Sequence, residues 1–528
     1  MENKRLTADE CCLRLDPRDL GLSTTDDVEP LGVASQARAL EALRFGLDIR
    51  QPRFHVVVVG EPGSGRTFSA RALAQHLAEQ RPTPDELLLL PNAKKPSEPL
   101  ALRLPAGEGR PFVEAMERLH EDLVESLRQV AEGERFKQSR ARIERKARAA
   151  EAELSAALKE VGEELGLVVN REEDELHVAA PDGEDPDPEA LEAIGAAVEE
   201  FEEQVAELSE GVDRELRDEL KRLMVDAVKA RFGPLKGEFE DRGAIVQFLD
   251  DTQTMVNKEV RGLIDESEES GTLAPGSVIP TLLTEREPGS GAPVVEVAYP
   301  TIASLFGRSH VPADAGFPPK PGFAVPGALH RADGGFLIIS ARTLLKNRVY
   351  EPLKACLLSG NFVPPEPDAS YFRGTVEELL LPTIPIDVKV VLVASPMLYQ
   401  ELHEADPEFS QLFKVQARFG HTIELDEAKQ TYPRFLAGFL RDRGLPPLNA
   451  EAVAELIGHG CRLAESQQQA TAQMGAIAEV ATEAGFRAMR DAETETSGHR
   501  VREALDASRR RGGYVEEEIR RLFTDGSP

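Results

Sequence analysis

One segment limits what this chain can fold into: FHVVVVGEPGSGRTFSARALAQHLAEQ, residues 54–80. Its four consecutive valines are typical of a strand buried on both faces, and the residues after Thr67 have the spacing of a helix. The Gly-rich turn between them fits the pattern GxxxxGK[ST], with Arg66 in the place of the lysine. A strand, this turn and a helix together predict a phosphate-binding loop.

The chemistry of such a loop comes mainly from its backbone. Glycines let successive N–H groups curve around a phosphate at a helix N-terminus, where the helix dipole favours an anion. A hydroxyl at Thr67 would contact Mg²⁺, and Arg66 keeps the positive charge on a planar fork that is wider than a lysine ammonium. The alternative is a strand-to-helix turn without a ligand. The candidate phosphate-binding residues are Gly60, Gly63, Ser64, Gly65, Arg66 and Thr67.

A second apolar run, DELLLLPN at residues 85–92, predicts another buried strand. A strand, a helix and a strand in succession form a βαβ unit, which implies a parallel sheet. The sequence therefore predicts an α/β fold.

From Phe112 the pattern changes to apolar residues in steps of three and four over two long stretches. This heptad-like spacing predicts an antiparallel coiled-coil arm with a small β-hairpin at its tip, inserted at residues 112–269. We expect a break in the returning helix near Gly233 and Pro234.

The strand Phe336–Ile339 raises the main functional question. Nucleotide-hydrolysing proteins place an Asp and then a Glu after such a strand, to hold Mg²⁺ and to orient the attacking water. This chain has Ser340 and Ala341 there. The pattern therefore indicates a nucleotide site without its hydrolytic carboxylates.

Charge and composition exclude several classes of function. The net charge of −31 argues against nucleic acid or an anionic membrane as a partner. No apolar run approaches the length of a membrane span, and neither the four cysteines nor the scattered histidines have metal-ligand spacing. We expect a cytoplasmic protein without a metal site other than the candidate Mg²⁺ position.

Several motifs together resemble the AAA+ part of Lon-like proteases, in the subgroup with a helical arm inserted in the ATPase domain. They are LRLPAGEGR (102–110), YPTIASLFGR (299–308), GALHRADGG (327–335) and the arm itself. The resemblance implies a P-loop AAA+ parallel sheet, a helical coiled-coil insertion and an all-helical lid. The expected division is 1–111 for an N-terminal segment with the first half of the core, 112–269 for the arm, 270–430 for the second half of the core, 431–510 for the lid, and 511–528 for a linker toward a Ser-Lys peptidase domain absent from this chain.

The resemblance also assigns roles at the nucleotide site. It puts Ser340 and Ala341 in the places of the Walker B acids and Ser395 in the place of the first sensor. Lys414 falls where an arginine finger is supplied to a neighbouring subunit, and Gln473 falls where a second-sensor arginine is expected.

Phe317 and Phe323 lie in the Gly/Pro-rich loop FPPKPGFAVPG, where ring-forming motors carry aromatic residues that grip polypeptide. The alternative is that both rings pack onto the sheet.

The implied function is capture of unfolded or damaged proteins, which the module gates or feeds to a peptidase chamber in cis or in trans. A homo-oligomeric ring, hexameric by resemblance, is expected, with ATP as a weak or structural ligand and without firm Mg²⁺ binding. The main alternative is an active ATP-dependent unfoldase. A third is a non-enzymatic scaffold or holdase that uses the arm. A DNA-structuring ATPase with a coiled-coil arm is a more distant reading.

Overall fold

The computed structural model describes residues 13, 15–31, 36–92, 94–95, 98–172, 175–180, 187–265, 278–309, 324–365 and 381–524. The strands are β1 (Val56–Val59), β2 (Glu86–Leu90), β3 (Leu100–Leu104), β4 (Val168–Glu172), β5 (Glu175–Ala179), β6 (Thr281–Thr284), β7 (Val294–Val297), β8 (Gly307–Ser309), β9 (Ala324–Pro326), β10 (Phe336–Ser340), β11 (Asn361–Phe362), β12 (Ile384–Pro385), β13 (Lys389–Ala394), β14 (Val415–Arg418), β15 (Thr422–Glu424) and β16 (Gln469–Thr471).

The α-helices are α1 (Ala37–Asp48), α2 (Arg66–Glu79), α3 (Gly109–Glu132), α4 (Glu134–Glu164), α5 (Pro188–Glu238), α6 (Gly243–Asp265), α7 (Ile302–Phe306), α8 (Ala328–Arg331), α9 (Ala341–Lys346), α10 (Tyr350–Ser359), α11 (Pro396–Ala405), α12 (Phe409–Leu412), α13 (Leu425–Arg441), α14 (Ala450–Leu463), α15 (Met474–Arg490), α16 (Gly498–Gly512) and α17 (Tyr514–Thr524). Two 3-10 helices, Pro17–Leu20 and Thr25–Asp27, precede them.

The core of the molecule is a five-stranded parallel sheet with the strand order β14-β1-β13-β10-β7. Successive residues of its central strands are buried alternately in two apolar clusters, one on each face of the sheet. Burial on both faces explains the unbroken runs of Val, Leu and Ile. Val59 lies opposite Ala394, and Ser340 lies opposite Val393, so the carboxyl ends of β1, β13 and β10 meet at one edge. The predicted α/β fold is confirmed.

The predicted βαβ partner of β1 is wrong. Strand β2 does not enter the parallel sheet; it lies in a three-stranded antiparallel sheet with the order β3-β2-β6. The side chains of β2 alternate between two cores, because Leu87 and Leu89 pack with the parallel sheet whereas Leu88 and Leu90 pack with the helices of the insertion. A strand covered on both faces reads as a continuous apolar run in either kind of sheet, so the pattern could not distinguish them.

The long helices α4 and α5 pack against each other in antiparallel directions. Near the base, the Ser139 hydroxyl donates to the Glu219 carboxylate at 2.9 Å. Toward the tip, Leu158 packs with Ile194 and Phe201, together with side chains of the hairpin β4–β5. The hairpin at the tip is confirmed, whereas coiled-coil packing in the strict sense stays a prediction.

The predicted break near Gly233 and Pro234 is also wrong, because α5 continues through Pro234. Proline removes one N–H donor, which leaves the carbonyl of Ala230 without its intrahelical partner. Pro234 and Ala230 are both exposed, so water can reach this carbonyl. Phe232 and Leu235 are buried in the cluster at the base of the arm, and this packing stabilises the helix across the proline.

The C-terminal helices α13 to α16 enclose their own apolar core and form the lid predicted for this region. A short antiparallel pair, β15–β16, closes one side of it. The described part of the N-terminal segment packs against the lid: Leu31 N–H donates to the Arg434 carbonyl at 3.1 Å, and Thr25 N–H donates to the Leu448 carbonyl at 2.8 Å. In the parts of the chain that the structure describes, no helix combines the length and the apolar character needed to cross a membrane.

Gly335 fixes the start of β10, and its replacement tests the packing of the sheet. A Cβ atom at this position would lie 2.1 Å from the carbonyl oxygen of Pro293, which is backbone and cannot move away cheaply. We expect Gly335→Ala to lower the free energy of unfolding by about 2 kcal/mol or more. The measurement is urea unfolding followed by circular dichroism.

The matched control is Gly233→Ala, because a Cβ at Gly233 would meet no atom within 4 Å. A helical Gly→Ala change of this kind should leave the protein equally stable or slightly more stable. Equal stabilities of the two variants would contradict the close approach at Gly335.

Candidate nucleotide-binding site

The loop Gly60–Thr67 joins the end of β1 to the start of α2, as the sequence predicts. Gly63 and Gly65 have φ angles of 84° and 79°, a left-handed conformation that favours glycine. Among the described residues, no acceptor is bonded to the N–H groups of Gly65, Arg66 and Thr67. These groups open helix α2, so they form a cradle of donors at a helix N-terminus.

The hydroxyl of Ser64 adds to the polar lining of this loop. The residue is 1% exposed, and its Oγ has no hydrogen-bond partner among the described residues. A buried polar atom without a partner is destabilising by about 1–3 kcal/mol. A ligand oxygen in the loop would satisfy this atom.

Arg66 turns toward the neighbouring strand. Its guanidinium donates to the carbonyl of Ala394 at 2.7 Å, and the same carbonyl accepts from Gly60 N–H at 3.2 Å. Burial lowers the pKa of Arg66, while the carboxylate of Glu61 acts in the opposite direction. In this arrangement the guanidinium ties the loop to the end of β13.

The lid also contacts the phosphate-binding loop. Met474 N–H, at the start of α15, donates to the carbonyl of Gly63 at 3.0 Å. Gln473, the predicted second-sensor position, lies against the same glycine, because a Cβ built on Gly63 would be 3.9 Å from the Cα and Cβ of Gln473. The predicted second-sensor position and the loop are therefore neighbours in the structure.

The ends of β10 and β13 carry the other predicted positions. Ser340 ends β10, and Ala341 begins α9 with 1% of its surface exposed. Ser395 follows β13, and its hydroxyl accepts from Leu398 N–H at 3.3 Å as the cap of α11. All three lie at the same edge of the sheet as the loop. Neither Ser340 nor Ala341 supplies a carboxylate, and the described residues contain no group of three or more His, Cys, Asp or Glu that could hold a metal ion.

Lys414 lies elsewhere. It precedes β14, whose first residue pairs with Val56 at the start of β1, so Lys414 sits at the edge of the sheet opposite the loop. Its ammonium is 4.5 Å from the centroid of the Phe54 ring. Phe317 and Phe323, the predicted polypeptide contacts, fall outside the described residues.

The motif GALHRADGG contributes to the architecture beside the site. His330 is 2% exposed, and its Nδ1 accepts from Gly327 N–H at 3.2 Å; burial lowers its pKa to about 4, so the ring is neutral. Asp333 forms an ion pair with Arg103 at 2.7 Å and accepts from Asp387 N–H at 2.8 Å. The motif thereby joins β3 of the smaller sheet to the loop that leads into β13.

Sequence reasoning missed two groups that shape the site: the carbonyl of Ala394 and the N–H of Met474. Both are backbone atoms, which every residue carries, so no residue type marks them. Their roles follow only from the strand pairing and from the position of the lid.

Three family models match segments of the chain. Residues 290–420 match a LonB-like AAA domain, and residues 447–511 match the lid domain of the archaeal LonB AAA+ ATPase. Residues 87–119 match the helical domain of Lon-like LonC proteins. The first two segments contain β10, β13 and α15, which carry the positions described above.

Curated relatives agree with these matches over limited regions. An archaeal Lon protease from Pyrococcus abyssi is 34% identical over 124 residues, which are 22% of this chain and 12% of that protein. A putative Lon protease homolog from Escherichia coli is 29% identical over 147 residues, 27% of this chain and 24% of that protein. The chain thus spans a quarter or less of the length of these relatives.

Among solved structures, NtrX from Brucella abortus matches with a TM-score of 0.26 and 16% identity, covering 37% of this chain and 41% of that chain. A similarity this low carries no argument. The family matches, the parallel sheet and the lid agree with one another, and the matched segments of this chain are similar to the AAA and lid domains of Lon-like proteins.

Proposed function

We propose that this module captures unfolded or damaged polypeptide and gates its passage to a peptidase chamber, without depending on ATP hydrolysis. The observation that carries the proposal is the end of β10, which bears Ser340 and Ala341 and no carboxylate. By the resemblance, these are the positions of the Walker B acids that hydrolysis requires. In this proposal the nucleotide is a structural or switching ligand of the loop.

The residues of the loop suit a phosphate. Donor N–H groups at the start of α2, the buried Ser64 hydroxyl and the charge of Arg66 would hold it. They do not suit Mg²⁺ equally well. Thr67 offers one hydroxyl, whereas a firmly held Mg²⁺ takes one or two carboxylates besides the phosphates.

The missing carboxylates weaken hydrolysis in two ways. Ser340 is uncharged, so it cannot hold a cation against the phosphates by charge. The methyl group of Ala341 cannot accept a proton or orient a water molecule. Ala341 is also buried in the core, so a glutamate there would place a charge among apolar side chains.

In the same proposal, a finger role for Lys414 is compatible with a ring of subunits. Because Lys414 lies at the far edge of the sheet from its own loop, a finger role would require the loop of a neighbouring subunit. A lysine there supplies a point charge without the bidentate fork of arginine. We propose a homo-oligomer, with the peptidase supplied in cis or in trans.

ATP binding and turnover of the purified chain test the nucleotide site. We expect the wild-type rate of ATP hydrolysis to equal that of Arg66→Ala, because both lack the carboxylates. Nucleotide affinity, measured by calorimetry, should fall about tenfold or more in Arg66→Ala, which loses a positive charge in the loop and the hydrogen bond that ties the loop to Ala394.

The matched control is Arg71→Ala on the same helix, since Arg71 pairs with Glu296 and is not part of the loop. This variant should bind nucleotide like the wild type. Hydrolysis that Arg66→Ala abolishes and Arg71→Ala preserves would show a working ATPase and overturn the proposal.

Capture of polypeptide is tested with a labelled, permanently unfolded protein, such as reduced and carboxymethylated α-lactalbumin, in the absence of nucleotide. We expect binding by fluorescence anisotropy, and a loss of about tenfold or more in affinity when Phe317 and Phe323 are both changed to Ala, because aromatic side chains dominate such contacts.

An arm truncation separates this function from a scaffold. A short Gly-Ser linker from Ser139 to Glu219 replaces the outer arm and keeps the buried base. The linker can be short because the side chains of Ser139 and Glu219 are hydrogen-bonded. Gating predicts that the truncated protein still binds the unfolded protein. Loss of binding in the truncation, with normal binding in the double Phe variant, would favour the arm-based scaffold instead.

A further inference from the structure

A second concave site lies at the edge of the parallel sheet opposite the phosphate-binding loop. The cavity has a volume of about 480 Å³, which is within the usual range of small-molecule sites. It forms where three strands begin: His55 precedes β1, Gly335 precedes β10 and Lys389 opens β13. No residue of Gly60–Thr67 lines it.

The lining of this cavity is positively charged on a chain whose net charge is −31. Four cationic side chains line it, those of Arg50, Arg53, Arg81 and Lys389, against the single carboxylate of Asp387. His55 adds no charge, because burial and the neighbouring Lys389 lower its pKa to about 3. A concave site of one sign focuses the local field and attracts ligands of the opposite sign.

Lys389 is fixed in the wall of the cavity, and it forms no ion pair with any residue that the structure describes. It is 8% exposed, and its ammonium donates to the carbonyls of Ile49 at 2.5 Å and Phe54 at 2.7 Å. Carbonyls satisfy the hydrogen bonds but supply no countercharge. Burial and the charge of Arg81 lower the pKa of Lys389 to about 8, although the carboxylate of Asp387 acts in the opposite direction, so this carboxylate balances the positive charge only in part.

The arginines are also held in place by carbonyls. Arg81 donates to the carbonyl of Leu47 at 2.7 Å, and its guanidinium lies 4.3 Å from the centroid of the Phe336 ring. Arg53 donates to the carbonyl of Leu358 at 2.8 Å from a backbone with φ of 60°. A left-handed residue other than glycine stores strain of a kind that clusters at binding sites.

Arg50 is the fourth cationic residue of the lining; it is exposed, and its side chain forms no hydrogen bond or ion pair with any described residue. Its five donors are therefore available to a ligand. Pro52, Leu357 and Ile386 supply apolar wall between the charged groups.

We infer that this cavity binds a small organic anion, with a carboxylate or phosphate group held by the arginine side chains and a short carbon skeleton against the apolar wall. Guanidinium forks match the planar or tetrahedral oxygens of both anions. A bound anion would add countercharge to that of Asp387, the one carboxylate among four cationic side chains in the lining.

A single tryptophan reports on this cavity directly, because the chain contains none. Gln51→Trp places the indole in the lining, at an exposed residue. The emission of this variant is titrated with citrate and, separately, with glycerol 3-phosphate, at constant ionic strength. We expect a saturable change with at least one of the two, and the responding anion identifies the carboxylate or the phosphate class.

Two further variants, each made in the Gln51→Trp protein, test where the anion binds. Arg50→Gln should weaken binding about tenfold or more. Arg38→Gln, which makes the same charge change at an exposed residue of α1 away from the cavity, should leave it unaltered.

A tryptophan beside the phosphate-binding loop tests whether the anion binds there instead. Phe68→Trp, in an otherwise unchanged chain, puts the tryptophan at an exposed position next to Thr67. It should not respond at the concentrations that saturate Gln51→Trp. No saturable response of Gln51→Trp to either anion, or an equal effect of Arg50→Gln and Arg38→Gln, would overturn the inference.

Discussion

The pairing of β1 with β13 is the interaction on which the candidate site depends. It brings Val59 opposite Ala394, so the phosphate-binding loop begins beside the end of β13. The carbonyl of Ala394 then accepts from both Gly60 and Arg66. Because β10 pairs with the other side of β13, the same register sets Ser340 at this edge. A shift of β13 by one residue would exchange its two buried faces and separate these groups.

Strand β2 connects the parallel sheet to the base of the arm. Its odd-numbered leucines pack with the parallel sheet and its even-numbered leucines with the helices at the base of the arm. The two apolar cores therefore share one strand, and the arm is not an appendage on a loose linker. A displacement of the helices at the base of the arm would change the packing of β2 and, through β2, the packing of the parallel sheet.

Positively charged side chains lie at both ends of the parallel sheet. At the carboxyl end of the sheet, the loop Gly60–Thr67 carries Arg66 and the N–H donors that open α2, and the lid contacts this loop through Met474. At the amino end, the arginines and Lys389 surround the cavity. Helix α2 connects the two, since Arg66 begins it and Arg81 lies two residues beyond its end. An anion at one end and a nucleotide at the other would thus bind to the same strands and helix.

The sequence by itself determined the local features. Four valines, three glycines and a helical pattern predicted the strand, turn and helix of the candidate phosphate-binding loop, and the apolar run before Ser340 predicted β10, because these depend on neighbouring residues only. Tertiary structure decided the rest: the sheet that β2 joins, the passage of α5 through Pro234, the contact of Gly63 with the lid and the basic cavity. Each of these brings together residues far apart in the chain or uses backbone groups that all residues share, so no local pattern could have shown them.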